Sequence, residues 1–133
     1  PRIGARFLAA QSWLLALRGE HDAAIEKAHA AEHALLNFLD DRETVRIVRC
    51  DLARAAFALG AFEPARAGWE KYLEAQPVPL SQPMAYCNLG RCHEALGDSD
   101  AARAAYGKAL ETGIETHYAR QARERLAVLM SPF

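Results

Sequence analysis

The chain has 133 residues, enough for one domain with a hydrophobic core. It contains 28 alanines but only 11 valines, isoleucines and threonines together, which favours helices because alanine is the best helix former and β-branched residues favour strands. The net charge is −1 and the pI is near 6.6, so the sequence lacks the clustered basic excess that a nucleic-acid-binding surface needs.

Apolar periodicity and turn residues predict seven helices. They cover about residues 3–18, 22–38, 41–59, 62–75, 83–96, 99–112 and 115–130. The first includes an uncharged stretch from Phe7 to Leu17 of 11 residues, whereas a membrane span needs about 20, so we expect a core helix and no membrane span. The last carries an apolar stripe from Tyr118 to Leu129 opposite charged residues, a pattern typical of a capping helix.

A glycine turn recurs along the chain. Each of three apolar helical runs ends at a glycine, and an alanine follows that glycine five positions later. The pairs are Gly19 with Ala24, Gly60 with Ala65, and Gly97 with Ala102. Because glycine tolerates positive φ, each turn is predicted to reverse the chain, and the small residue lets the next helix lie close to the previous one.

The units built on these turns resemble tetratricopeptide repeats, a helix–turn–helix family with a 34-residue period. The third unit carries the strongest resemblance, with Tyr86, Asn88-Leu89-Gly90, Gly97-Asp98, Ala102, Tyr106 and Lys108-Ala109-Leu110-Glu111 at the family's spacing. The second has Leu52, Ala53, Gly60, Ala65, Trp69 and Pro77, but Tyr72 stands where a small residue is usual. The first has Leu8, Ser12, Gly19, Ala24 and Ala31. Trp69 and Tyr106 are equivalent and are expected in the core.

The resemblance, which covers about residues 5–112, implies an all-α fold. It implies an α-solenoid of three helix pairs plus a C-terminal capping helix, coiled into a right-handed superhelix. We expect a single domain over residues 1–133, with repeats at about 5–39, 41–77 and 83–113 and the capping helix at about 115–130.

The spacing between the glycines is uneven. Gly60 and Gly97 lie 37 residues apart, and the extra length falls in a proline-rich segment, residues 76–83, which predicts a rigid loop. Gly19 and Gly60 lie 41 residues apart, so the helices between them are expected to be longer. Asp40 is the predicted cap of the third helix, with Glu43 three residues on.

The resemblance also implies a function, which is to bind an extended peptide or a partner helix in a concave groove, without catalysis and without a cofactor. By the family pattern, the groove positions are Trp13 in the first unit, Cys50, Arg54 and Phe57 in the second, Cys87, Arg91 and Glu94 in the third, and Arg125 in the capping helix. The three arginines share one column, which favours an acidic ligand because Arg binds carboxylates bidentately. The alternative is that they are solvated or pair with Asp51 and Glu94.

A second motif suggests an enzyme instead. His29, Glu32 and His33 match the H-x-x-E-H pattern of one zinc-hydrolase class and would lie on one helix face. A hydrolytic zinc needs a third protein ligand, and no downstream residue is marked out for that role. The same segment fills the second helix of the first repeat, with Ala31 at a packing position, so an ordinary repeat helix is the simpler interpretation; surface metal binding by the i, i+4 pair of His29 and His33 is a further alternative.

Cysteine usage and the first residue bear on the origin of the chain. Cys50, Cys87 and Cys92 are too few for a disulfide framework, which favours a reducing, cytoplasmic compartment.

The sequence begins at Pro1 rather than Met, so we expect a piece of a longer protein from which a signal or membrane anchor could have been removed. A structural or oligomerisation role, packed on a sibling domain or a second copy, is therefore the alternative to a scaffold or adaptor.

Overall fold

The described residues of the chain fold into helices. A computed structural model describes residues 2–75 and 77–131, with only the backbone described for residues 2 and 3. Seven α-helices lie in these ranges: α1 (Arg2–Leu17), α2 (His21–Leu35), α3 (Arg42–Ala58), α4 (Phe62–Glu74), α5 (Gln82–Ala95), α6 (Ser99–Glu111) and α7 (His117–Leu129). Short 3-10 turns cover Leu36–Phe38 and Pro79–Ser81, and residues 2–75 and 77–131 contain no strand. The all-α prediction is confirmed.

The predicted start of the third helix is wrong by one residue. Asp41, not Asp40, is the N-cap of α3, and its carboxylate accepts a hydrogen bond of 3.1 Å from the backbone N–H of Thr44. The extra length before Gly60 is divided between α3, which has 17 residues, and the 3-10 turn that follows α2. In the proline-rich segment, Gln76 lies outside the described residues, and Pro83 falls in the first turn of α5, where a missing N–H costs nothing.

The three glycine turns share one hydrogen-bonding pattern. Gly19, Gly60 and Gly97 have φ values of 78°, 80° and 81°. At the first turn the N–H of Glu20 donates to the carbonyl of Leu15, and the N–H of Gly19 donates to the carbonyl of Ala16, at 3.0 and 3.1 Å. The same two bonds recur at the other two glycine turns, so α1, α3 and α5 each end in a Schellman motif and the prediction of glycine turns is confirmed.

The described residues group into two compact units, residues 1–68 and 69–133, and the division falls within α4. The single-domain interpretation, the repeat bounds of 5–39, 41–77 and 83–113, and the hand of the superhelix stay predictions.

In the first unit α1 packs against both α2 and α3. Small residues make this contact close, because the buried side of α1 consists of Ala5, Ala9, Ser12 and Ala16. The Ser12 hydroxyl donates to the carbonyl of Ala24 at 2.7 Å, where no water reaches either group. The core there also contains Ala31, Leu35, Val45 and Val48.

In the second unit α5 packs against α6, and α7 packs against both. Tyr106 of α6 is fully buried, with Cys87, Ala102, Ala109 and Ala122. A Cβ added at Gly90 of α5 would lie 2.6 Å from the Tyr106 ring, so only glycine leaves room for the ring. Trp69, at the equivalent position of α4, is also buried and makes an edge contact with Tyr72 at 5.6 Å between centroids. The predicted core role of Trp69 and Tyr106 is confirmed.

Replacing Gly90 with alanine should lower the free energy of unfolding by about 1–3 kcal/mol, because the new methyl group must push the buried Tyr106 ring aside. Gly107→Ala is the matched control in α6, since a Cβ there meets nothing within 4 Å. The control should be stabilised by about 0.5–1 kcal/mol, because alanine is the better helix former. Urea denaturation followed by circular dichroism measures both, and equal effects of the two variants would contradict the packing argument.

Candidate functional site

The predicted groove residues that lie within residues 1–68 form a surface that we call the α1–α3 face. It is defined by Trp13, Cys50, Arg54 and Phe57. Since α1 and α3 lie side by side, the Arg54 guanidinium carbon stands 4.7 Å from the centroid of the Trp13 ring. The same guanidinium forms an ion pair of 3.5 Å with Asp51. Arg54 is therefore held between an aromatic ring and a carboxylate, which is the pairing that the sequence offered as the alternative to a ligand contact.

Local packing limits what the rest of the α1–α3 face can present. Trp13 is half-buried and packs against the cluster of Ala16, Ala24 and Ala55. The Phe57 ring makes an edge contact with Phe62 across the glycine turn, with centroids 5.1 Å apart. Cys50 is buried, and burial raises the pKa of its thiol to about 11. Trp13, Arg54 and Phe57 are thus partly exposed and could contact a ligand, whereas the Cys50 thiol is buried.

Burial also affects the acid beside Arg54. It raises the pKa of the Asp51 carboxyl, and the charge and hydrogen bond of Arg54 oppose that rise. The guanidinium thus offsets part of the effect of burial on this carboxyl, and the two side chains form an ion pair on the α1–α3 face.

The predicted groove residues that lie within residues 69–133 come together on a surface that we call the α5–α7 face. It is defined by Cys87, Arg91, Glu94 and Arg125. Glu94 is the centre of this face. Its Oε1 accepts a 2.6 Å bond from the Tyr106 hydroxyl and a 3.0 Å bond from Nε of Arg125, and its Oε2 accepts from Nη2 of Arg125. One carboxylate therefore links α5 to both α6 and α7.

These bonds change the acidity of the linked groups. The hydrogen bonds from Arg125 and Tyr106 hold the pKa of Glu94 below its ordinary value, against a smaller effect of burial. Burial raises the pKa of Tyr106, and its bond to the ionised Glu94 raises it further. Glu94 is therefore ionised and Tyr106 protonated at neutral pH, which makes the network structural rather than a proton relay.

The remaining residues of the α5–α7 face are also engaged. Arg91 donates from Nη1 to the Asn88 side-chain oxygen at 3.3 Å. Cys87 is fully buried, its thiol donates to the Gln121 side-chain oxygen at 3.4 Å, and burial raises its pKa to about 11. A thiol with this pKa stays protonated at neutral pH and is a poor nucleophile.

Sequence reasoning missed Asn88 and Gln121 as parts of the α5–α7 face. A signal for Gln121 was present, because it follows Cys87 by 34 residues, one repeat period. The same period relates Arg91 to Arg125 and placed Arg125 in the arginine column. The period does not show that Glu94 would form an ion pair with the guanidinium of Arg125.

The residues of the zinc motif lie on α2. His29, Glu32 and His33 are all exposed. Among the described residues, no cluster of three or more His, Cys, Asp or Glu side chains is arranged to hold a metal ion. Nothing in the described structure therefore adds a third ligand to the motif.

None of the helices in the described ranges has the length and apolar content that crossing a membrane requires.

Comparison with known proteins identifies one of the helix pairs. The family model described as tetratricopeptide repeat matches residues 85–112, which lie almost entirely within α5 and α6. A search of curated proteins finds no matching relative. The predicted resemblance is thus confirmed at the third helix pair, the unit in which the family's residues were most complete. Such repeats typically mediate protein–protein interaction and are not themselves enzymes.

Replacing Glu94 with glutamine should destabilise the protein by about 1 kcal/mol at neutral pH, a modest value because Arg125 is 41% exposed and solvent screens the pair. The folded-state pKa of Glu94 is depressed, so its stabilisation is fully present above the unfolded value near 4.5 and is lost as pH falls through the folded value. The difference between wild type and variant should therefore shrink in acid.

Urea denaturation at a series of pH values measures this difference. Glu124→Gln, which changes an exposed glutamate of α7, is the control and should stay within about 0.5 kcal/mol of wild type at every pH. A Glu94→Gln difference that does not change below pH 4.5 would show that the carboxylate charge is not what stabilises this contact.

Proposed function

We propose that this chain, whose α5 and α6 form a tetratricopeptide repeat, is a scaffold or adaptor module that binds an extended peptide or a partner helix in a concave groove. The observation that carries the proposal is the match at residues 85–112, together with the same Schellman turn at all three helix pairs. The candidate binding surfaces are the α1–α3 face within residues 1–68 and the α5–α7 face within residues 69–133, and the proposed chemistry is recognition rather than catalysis.

The charges favour an acidic ligand on the α5–α7 face. Among the four residues that define this face, Arg91 and Arg125 are positively charged and Glu94 is negatively charged. Glu94 takes two of the five N–H donors of Arg125 and fixes the plane of the guanidinium. The other donors then face a ligand carboxylate in a set orientation, at a low entropic cost.

The α1–α3 face should contribute less to charge selection. Arg54 and Asp51 cancel each other there, and Trp13 lies under the guanidinium. Trp13 and Phe57 instead offer apolar contact area, which suits aromatic or aliphatic side chains of a ligand. The two faces would thus favour different types of ligand residue.

Binding of a labelled eight-residue peptide of alternating glutamate and serine tests the charge preference. Arg91→Glu should weaken its affinity about tenfold or more, because it removes an attractive charge and adds a repulsive one. Arg54→Glu should weaken it less, since Arg54 is already neutralised by Asp51. Fluorescence anisotropy measures the affinities, and circular dichroism confirms that each variant is folded.

Arg120→Glu is the matched control, because Arg120 is exposed on α7 and gives the same change in net charge. Equal losses in Arg120→Glu and Arg91→Glu would show that only net charge matters. Unchanged affinity in the double variant Arg54→Glu with Arg91→Glu would remove these faces from the binding groove.

The alternative function is a structural or oligomerisation domain of a larger protein. The exposed apolar side chains of α1 favour some contact with another protein surface. For a scaffold we expect one mass, close to 14.6 kDa, over a wide concentration range in size-exclusion chromatography with light scattering. A mass that doubles with concentration would favour the oligomerisation role.

A reducing, cytoplasmic location belongs to the same proposal. Cys50, Cys87 and Cys92 are all buried and form no disulfide among the described residues, which suits a compartment that keeps thiols reduced.

A further inference from the structure

Helix α1 is apolar on two opposite sides, and only one of them is covered. Ala5, Ala9, Ser12 and Ala16 form the covered side and are at most 4% exposed. On the opposite side Phe7, Leu14 and Leu17 are 61%, 55% and 62% exposed, although each is large and apolar. A helix that is apolar all round is normally buried all round, so the second side is short of a partner.

The exposed residues form one stripe with helical periodicity. Phe7, Ala10, Leu14 and Leu17 follow the spacing i, i+3, i+7, i+10, and we call them the apolar α1 face. The stripe is about 15 Å long at 1.5 Å per residue, or close to three helical turns. A half-exposed Ala10 between larger residues leaves a shallow gap, into which a side chain of an opposing helix can pack.

The charged residues of α1 itself are all basic, and the nearest acidic residue along the chain is Glu20, in the turn after the helix. Residues 1–19 contain three arginines and no acidic residue. Arg6 lies one helical turn before Ala10, near the N-terminal end of the stripe, and Arg18 follows Leu17 at its C-terminal end. The face is therefore bordered by positive charge at both ends.

Neither of these two arginines is neutralised. Arg6 donates from Nη2 to the neutral hydroxyl of Thr44 at 3.2 Å, and its Nε is buried with no hydrogen-bond partner among the described residues. Arg18 is exposed. Within residues 2–75 and 77–131, no carboxylate pairs with either guanidinium, in contrast to Arg54 and Arg125, which are paired. The Arg18 charge is thus open to a partner, whereas Arg6 is half-buried and part of its guanidinium is turned towards Thr44 of α3.

We infer that the apolar α1 face docks an amphipathic helix that has an apolar stripe of about three turns bordered by Asp or Glu. A helix fits the length and periodicity of the stripe, and acidic borders match the two unneutralised arginines. A second copy of this chain fits less well, because pairing α1 with itself would bring arginines together without any acidic residue between them. Trp13 of the α1–α3 face lies one helical turn from Ala10 and from Leu17, so the apolar α1 face adjoins the α1–α3 face.

A designed peptide tests the inference directly. The probe is a cross-linked 14-residue helix with leucines at i, i+3, i+7 and i+10, glutamates at the bordering positions and alanine elsewhere, so about four turns in all. One control peptide has lysine in place of every glutamate, and another has the same composition without the stripe. Fluorescence anisotropy with the full chain should show binding of the glutamate peptide and at least tenfold weaker binding of both controls.

Variants of the protein locate the contact. Leu14→Ser should weaken binding about five- to tenfold without loss of stability, because Leu14 contacts the probe and not the core. Val128→Ser, an apolar residue of α7 with a similar exposure of 56%, is the matched control and should have no effect. Arg18→Glu should weaken the glutamate peptide and strengthen the lysine peptide.

The remaining outcomes overturn the inference. Equal binding of the glutamate and lysine peptides, or no binding of either, would exclude a partner with acidic borders. A dimer that Leu14→Ser converts to a monomer in light scattering would assign the face to a second copy. Association with neutral phosphatidylcholine vesicles that Leu14→Ser abolishes would assign it to a lipid surface.

Discussion

Close approach of helices through small residues is the constraint on which the structure depends. Each Schellman turn reverses the chain tightly at a glycine with φ near 80°, so the two helices of a pair start out already in contact. The alanine five residues later is fully buried in all three pairs, because any larger side chain would hold the helices apart. Burial by alanine stabilises little per residue, which is why the contact must be repeated along the helices and supplemented by a few large side chains.

Gly90 shows how this constraint reaches the candidate site. The missing side chain lets the Tyr106 ring of α6 lie directly against α5. One helical turn further along α5, Glu94 accepts hydrogen bonds from the Tyr106 hydroxyl and from the guanidinium of Arg125 on α7. The close packing at Gly90 therefore positions the Tyr106 hydroxyl, which hydrogen-bonds to Glu94, and Glu94 in turn orients the guanidinium of Arg125 on the α5–α7 face.

The sequence was sufficient for features that depend on backbone geometry and local spacing. The helices, the glycine turns and the buried Trp69 and Tyr106 follow from periodicity and from what glycine alone can do. The choice between Asp40 and Asp41 as a cap could not be made, because both can accept the bond and only the exact helix start decides. Partners of Arg54 and Arg125 were named only as an alternative, since pairing depends on side-chain conformation and on which neighbouring helix supplies the acid. The groove assignment itself remains a prediction from the repeat pattern.

The three candidate surfaces differ in how their charges are used, and this difference sets what each could contribute to binding. On the α1–α3 face and the α5–α7 face, arginines are paired with acids of the chain, so a ligand gains orientation and selectivity more than raw affinity. The apolar α1 face combines three large exposed side chains with two guanidiniums that no carboxylate of the described residues neutralises. Hydrophobic burial there would supply affinity, while the charges would select direction and partner. The repeat pattern marks only the first kind of surface, because it records the positions that face a groove and is silent about the outer side of the first helix.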